Sequence, residues 1–385
     1  MRIGIDCRLW NESGVGRYIR NLVKHLQVLD KKNEYILFVL NKDYEQLNSQ
    51  FSNGNFHLRK ADIRWHSIEE QINFPLLLNN QNLDLVHFPY FSVPFLYKRP
   101  FVVTIHDLIL YDYSTGEAST LPLPLYKAKL LGYKFIISSA AKNSKKIIVP
   151  TNAVKEDILR NLKIASEKIV VTYEGIDETV SSIEYKELSM KKNTKYKILN
   201  TKYFLYVGNA YPHKNLERLL EAFQQFKIQN SKFKIPVQNS KLILVGKEDF
   251  FYKRLKEKVK KMDVGDSIQF FGEVSDWELK ELYKNAKALV LPSLMEGFGL
   301  PALEAMSNNC QVLASNTPAL KEVCQDAAIY FDPYDVDDLA KKMEDINSNN
   351  GYDYSENIKK GFQRSKMFSW KKMAEQTLKI YNQFI

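Results

Sequence analysis

The chain has 385 residues, enough for two or three domains with sizeable cores. Its 55 Lys and Arg against 45 Asp and Glu leave a formal charge of +10 and a pI near 9.1, a balance that attracts nucleic acid, acidic membranes or phosphorylated ligands. No RNA-binding signature or zinc-ligand cluster supports nucleic acid, and no apolar run approaches the roughly 20 residues of a spanning helix, so phosphorylated ligands and peripheral contact with an anionic membrane rank higher.

The N-terminal MRIGIDCRLW opens directly on a strand-like run and lacks the long apolar region of a signal peptide. Cys7, Cys310 and Cys324 show no paired spacing, which indicates packing roles in a reducing compartment. The expected location is therefore the cytoplasm, with the inner face of the cytoplasmic membrane as the place of any attachment. After RIGID come the helical GVGRYIRNLVKHLQVL, the strand-like YILFVL, LDLVHF and FVVTIHD, a helical pattern from about Tyr126 to Ser144, and KIIVP. Such alternation predicts a parallel sheet covered by helices on both faces. Within the long helical pattern Lys127, Lys134, Lys142 and Lys145 share one broad face, and Leu130, Tyr133 and Ile137 another. A solvated face over a buried stripe fits this, with an anionic membrane as the alternative. The proline-rich STGEASTLPLPLY just before it reads as a long, exposed loop.

Beyond YEGID the sequence turns polar and lysine-rich, and a new strand, YFLYVG, starts at Tyr203. The expected division is a first domain at 1–180, a linker at 181–202, a second domain at 203–365 and a terminal helical segment at 366–385. In the second domain KLILVG, SIQFFGEV, KALVLPS, CQVLASN and AAIYFDP repeat the alternation, so the predicted fold class is α/β with two Rossmann-like domains.

The stretch PSLMEGFGLPALEAM, 292–306, carries the strongest chemistry. A buried strand ends at Pro292 and Ser293, Gly297 and Gly299 permit a tight turn, and Pro301 suits a first helical position. Backbone N–H groups from Phe298 to Leu300 would then face an anion such as a diphosphate. Glu296 before the turn can accept from sugar hydroxyls, and Glu304, about one turn into the helix, from a ribose diol. Taken alone, the residues favour the plainer reading, in which Glu296 caps the helix and Glu304 is a solvated surface group. Gly14 and Gly16 follow the first strand, before a helix expected near Arg17, but the later glycine of a dinucleotide fingerprint is missing and the second strand ends at Asn41 without an acid, so NAD is not expected.

EGFGLPALEAM resembles the Glu-x7-Glu signature of the retaining glycosyltransferases of family 4. GVGRY, TIHD, VPTNAVKEDI, YEGID, YVGNAYPHKNL, FFGEV and FSWKKMAEQTL match further family segments in family order along nearly the whole chain. The resemblance implies the GT-B fold, two Rossmann-like domains facing a central cleft, with a last helix, anchored by Trp370, that returns to the first domain. It implies that His106 lies beside the transferred sugar with Asp107 as its neighbour, that Gly14, Gly16 and Arg17 lie near the donor diphosphate or the acceptor, and that STGEASTLPLPLY is a candidate acceptor loop, with His87 structural or acceptor-side. Lys214, with Gly208 and Asn209, would meet the donor phosphate, Gly272 and Val274 the base, and Glu296, Phe298, Gly299, Leu300 and Glu304 the sugar, diphosphate and ribose. Many family members carry an arginine where this chain has Asn209, which cannot neutralise charge. His106, Lys214 and Glu296 are the expected catalytic group, with no metal and no cofactor beyond the nucleoside diphosphate sugar.

The expected activity is retaining transfer of a hexose from that donor to a glycan or lipid-linked acceptor hydroxyl in bacterial surface-polysaccharide synthesis. Similarity of YVGNAYPHKNL, GVGRYIRNL and HFPYFSVP to bacterial mannosyltransferases favours mannose from GDP-mannose. A UDP-sugar donor, a nucleotide-sugar epimerase and a non-catalytic sugar-nucleotide-binding protein are the alternatives.

Overall fold

A computed structural model describes the whole chain except residues 52–53, 114–121, 177–202, 233–239, 349–352 and 385. The expected linker at 181–202 and most of the candidate acceptor loop lie outside the described residues. The chain divides into two compact units, one of Met1–Gly175 with Ser369–Ile385, the other of Ile176–Phe368.

The first unit holds β1 (Arg2–Asp6), α1 (Gly14–Leu29), β2 (Glu34–Val39), α2 (Asn41–Asn48), β3 (Phe56–Lys60), α3 (Ile68–Asn79), β4 (Leu85–Phe88), β5 (Phe101–Thr104), α4 (Ile109–Asp112), α5 (Leu123–Asn143), β6 (Lys146–Val149), α6 (Asn152–Leu162) and β7 (Ile169–Val171). Its seven strands are all parallel, in the order β3-β2-β1-β4-β5-β6-β7. The inner strands are mostly apolar because helices cover both faces, and every residue of β4 and β5 is buried, the polar His87 and Thr104 included. Side-chain caps set two helix starts. Ser67 Oγ accepts from the Glu70 N–H at 3.1 Å, and Thr151 Oγ1 from the Val154 N–H at 3.2 Å. The helix Trp370–Tyr381 packs against α1, with Trp370 only 2% exposed.

A charged cluster ties the carboxyl end of β1 to α3. Arg8, 2% exposed, donates from Nε and Nη2 to Asp6 at 2.9 and 2.8 Å, from Nη2 to Glu70 at 2.7 Å, and from Nη1 to the Ile63 carbonyl at 3.0 Å. The face of its guanidinium lies 3.8 Å from the centroid of the Phe74 ring. The other Glu70 oxygen accepts from Ser92 Oγ and the His66 N–H, both at 2.8 Å, so the buried carboxylate is fully hydrogen-bonded.

The second unit contains β8 (Tyr203–Val207), β9 (Lys241–Val245), β10 (Ile268–Gly272), β11 (Ala286–Leu291), β12 (Gln311–Ser315) and β13 (Ile329–Phe331), parallel in the order β10-β9-β8-β11-β12-β13. Helices Leu216–Lys232 and Val336–Ser348 pack together on one face. Phe204, Phe223, Phe226, Leu244 and Met343 form the core beneath them. All three cysteines are free and buried, and burial raises the Cys310 and Cys324 thiols to about 12, so they pack as small apolar side chains. Among the described residues no helix is long and apolar enough to cross a membrane.

Candidate active site

In an open parallel sheet the ligand-binding end lies beyond the strand carboxyl termini, where the strand order reverses. In the second unit that place is between β8 and β11, and the segments singled out in the sequence follow these two strands. After β8 the chain runs through Gly208, whose carbonyl accepts from Tyr252 Oη at 2.8 Å, and Asn209, whose side chain accepts from the Tyr211 N–H at 3.4 Å. A single helical turn, Pro212–Lys214, then presents Lys214. Asn215, at φ 60°, donates to the carbonyls of Pro292 and Pro333 at 3.0 and 2.8 Å, and the Leu294 N–H donates to the His213 carbonyl at 2.8 Å. These bonds lock the loop after β8 to the loop after β11.

The lock brings Lys214 Nζ within 2.7 Å of Glu296 Oε1, across 82 positions of sequence. Both side chains are mostly buried, and Ser293, itself fully buried, donates from Oγ to the same carboxylate oxygen at 2.6 Å. Burial would raise the Glu296 carboxyl, but the charge and hydrogen bond of Lys214, with the Ser293 hydroxyl, hold it below the usual carboxylate range. The neighbouring His213 falls to about 4 through burial and then the charge of Lys214, so it is neutral near pH 7. An ammonium has three donors, so a lysine with one held by Glu296 keeps the capacity to meet phosphate oxygens.

Glu296 does not cap the following helix. The N-cap of Leu300–Ser307 is Gly299, at φ 93°, where a Cβ would stand 2.6 Å from Leu320 Cδ2. Of the two glycines expected to make the turn, Gly299 alone takes a left-handed conformation. The Phe298 ring is buried edge-to-face on Phe368 at 5.7 Å, so only its backbone can meet a ligand. Pro301, which has no N–H, sits in the first turn, and the Ala302 N–H donates to the N-cap carbonyl of Gly299 at 2.9 Å, which leaves the Leu300 N–H as the first-turn donor without a partner in the helix. Glu304 lies on this helix, half-buried, and accepts from Tyr283 Oη at 2.9 Å, so it is a positioned group and not a freely solvated one. Gly272 closes β10 with its carbonyl accepting from the Gly246 N–H at 3.1 Å, and Val274 is half-buried just beyond.

In the first unit α1 begins at Gly14, a turn earlier than the start expected near Arg17. Gly14 and Gly16 are thus helical, and Gly16 is where the helix meets the preceding loop: a Cβ there would lie 2.5 Å from the Trp10 carbonyl oxygen. Arg17 is half-buried in this first helical stretch.

His106 follows β5. Its Nδ1 lies 3.1 Å from Glu174 Oε1 and its Nε2 2.9 Å from the Pro89 carbonyl oxygen. Both partners are acceptors, so both nitrogens must carry protons for the two bonds to form: the ring is an imidazolium. Burial would lower the pKa of His106, but the hydrogen bond and charge of Glu174 outweigh it and the net shift is upward. The Tyr18 ring packs edge-on to this imidazolium at 4.9 Å. Tyr18 Oη lies 3.1 Å from Thr104 Oγ1, which lies 2.8 Å from His87 Nε2, and His87 Nδ1 lies 2.5 Å from Tyr381 Oη in the last helix. Fully buried and close to the charge of His106, His87 falls to about 3 and is neutral. Neither Glu174 nor this relay was singled out in the sequence. Glu174 lies in the YEGID segment, but nothing local signals a partner 68 positions away.

Residues 13–180 match the family described as Glycosyltransferase Family 4, and residues 189–364 match Glycosyl transferases group 1. The O-antigen chain mannosyltransferase RfbU of Salmonella typhimurium is 29% identical over 295 residues, 77% of this chain and 74% of that protein. O-antigen chain mannosyltransferase B of Escherichia coli is 28% identical over 386 residues, 96% of both chains. The sucrose-phosphate synthase structure from Thermosynechococcus elongatus superposes with a TM-score of 0.76 at 18% identity, covering 100% of this chain and 98% of that one. The two family matches leave out only residues 1–12, 181–188 and 365–385, and with two Rossmann-like units of parallel sheet the chain belongs to the family 4 glycosyltransferases of GT-B fold.

Proposed function

We propose that the chain is a retaining mannosyltransferase that moves mannose from GDP-mannose to a hydroxyl of a glycan or lipid-linked saccharide in bacterial surface-polysaccharide synthesis. The observation that carries the chemistry is the Lys214–Glu296 pair, held before the N-terminus of helix Leu300–Ser307 at the strand-order reversal of the second sheet. The likeness to two O-antigen mannosyltransferases supports the choice of sugar.

In this reading Lys214 and the N–H groups of Phe298, Gly299 and Leu300 meet the diphosphate, Glu296 accepts from the sugar hydroxyls, and Glu304 accepts from the ribose. As the anomeric C–O bond to phosphate breaks, charge grows on the leaving diphosphate, and these fixed donors stabilise it without rearranging. The acceptor oxygen bonds to the same face of the anomeric carbon, and its proton passes to a departing phosphate oxygen. The leaving charge is met by protein groups, and the reading requires no metal. Asn209 supplies no second cation. His106, held between Glu174 and the Pro89 carbonyl, serves as a fixed imidazolium and not as a base.

The test is saturation-transfer NMR of the purified protein against GDP-mannose, UDP-glucose, UDP-galactose and UDP-N-acetylglucosamine, followed by the fate of the bound donor. Selective GDP-mannose binding with slow GDP release supports the reading. Selective binding of a UDP-sugar replaces the donor, and conversion of the donor to its epimer replaces the reaction.

A further inference from the structure

The two carboxylate oxygens of Glu296 are not equivalent. Lys214 Nζ, at 2.7 Å, and Ser293 Oγ, at 2.6 Å, both donate to Oε1. Oε2 accepts no hydrogen bond among the described residues, and it is open to solvent. One oxygen is held by the protein and the other is left to meet a ligand. The terminal torsion of a glutamate is broad and two-fold, so the side chain by itself does not choose which oxygen faces which way.

The two donors hold Oε1 with different firmness. Lys214 reaches it on a flexible stem, and its ammonium has further N–H groups that a bound diphosphate would attract. Ser293 is fully buried, and its hydroxyl turns about a single side-chain bond. The backbone on either side of it is tied to the loop after β8. The Pro292 carbonyl accepts from Asn215 Nδ2 at 3.0 Å, and the Leu294 N–H donates to the His213 carbonyl at 2.8 Å. The contacts that deliver Lys214 to the site therefore also fix the serine three residues before Glu296. We infer that Ser293 is a positioning residue for sugar recognition: it holds Glu296 Oε1, so that Oε2 faces the hydroxyls of the transferred sugar even when Lys214 turns to the diphosphate. The inference rests on the reading of Glu296 as the acceptor for those hydroxyls. Its consequence is a separation of effects, since the serine then matters for the sugar and not for the nucleotide.

The experiment is calorimetry of wild type, Ser293→Ala and Ser315→Ala against GDP-mannose and GDP. Ser315 is equally buried, but its Oγ donates to the Leu291 carbonyl at 3.0 Å, so its variant loses a buried hydroxyl without touching the carboxylate. Ser293→Ala is expected to weaken GDP-mannose about tenfold and to leave GDP within about twofold of wild type, which also shows the site to be folded. Ser315→Ala should change the two ligands alike. A second readout needs no donor. Burial raises the Glu296 carboxyl, and Lys214 and then Ser293 bring it below the usual range, so its carbon-13 NMR titration should move upward in Ser293→Ala. Equal weakening of GDP-mannose and GDP by Ser293→Ala, unchanged binding of both, or an unmoved Glu296 titration overturns the inference. A wild type that does not bind GDP-mannose fails the donor reading instead, and the hold on Oε1 then stands or falls on the titration alone.

Discussion

Replacing Glu174 by Gln keeps the shape of the side chain and removes its charge. In the native protein Glu174 and His106 are both mostly buried and 3.1 Å apart, and the second imidazole nitrogen faces only the Pro89 carbonyl. A hydrogen bond to a charged partner contributes about 1.5–3 kcal/mol. The larger loss of about 3–5 kcal/mol for a broken buried ion pair does not apply, because the imidazolium can release its proton and the new amide can then donate to the bare Nδ1. The expected loss at acidic pH is therefore about 1.5–3 kcal/mol. The native His106 pKa is raised, so its stabilisation is complete below the ordinary histidine value of about 6.5 and fades as pH rises through the folded value. In the variant burial predominates and the pKa falls, which reverses the sign. Urea unfolding of both proteins at about pH 5 and about pH 9 should thus show a gap that narrows toward alkali. Nitrogen-resolved NMR of the native ring should show protons on both nitrogens near neutrality. A gap independent of pH, or a native Nδ1 without a proton near neutrality, would refute the reasoning.

Lys214→Ala should slow transfer by about a hundred- to a thousandfold in steady-state GDP release with a smaller change in donor binding, since its charge matters most as the leaving group forms. Glu304→Ala removes an acceptor that Tyr283 Oη orients, and calorimetry should show donor affinity falling about ten- to a hundredfold with the fold intact. Arg8→Ala leaves Asp6 and Glu70 facing each other without their cation and should cost about 3–5 kcal/mol in urea unfolding, while Lys214 and Glu296, in the other unit, stay paired. An arginine variant no less stable than wild type would show that the cluster contributes no stability.

Much of this architecture could be read from the sequence because inner parallel strands are rich in apolar residues. All six strands of the second sheet appear as apolar runs, from YFLYVG to AAIYFDP. The strands that escaped notice, β3 and β7, are the two edges of the first sheet, and β3 ends on the exposed Arg59 and Lys60. The glycine turn and Pro301 were legible for the same local reason, since they announce a strand-to-helix junction by residue type. Pairings were not legible. Lys214 and Glu296 each stood out, but their contact depends on Asn215 bonding across to Pro292, and Arg8 meets Glu70 across 62 positions. The start of α1 was legible only to within a turn, between Gly14 and Arg17, because glycines at 14 and 16 read as loop, whereas Gly16 lets the helix approach the Trp10 carbonyl.

The helix Trp370–Tyr381 follows the whole of the second unit along the chain, yet it belongs to the unit that precedes it. Domains of a growing chain ordinarily fold in the order they emerge. Here the early unit waits without the cover of Trp370 and Met373, and its His87 without the Tyr381 hydroxyl, until residues 176–368 have all been made. Residues 176–368 are one unbroken stretch of chain and meet no such delay. A premature stop codon just before Trp370 would therefore spare the chain's second half and cripple its first.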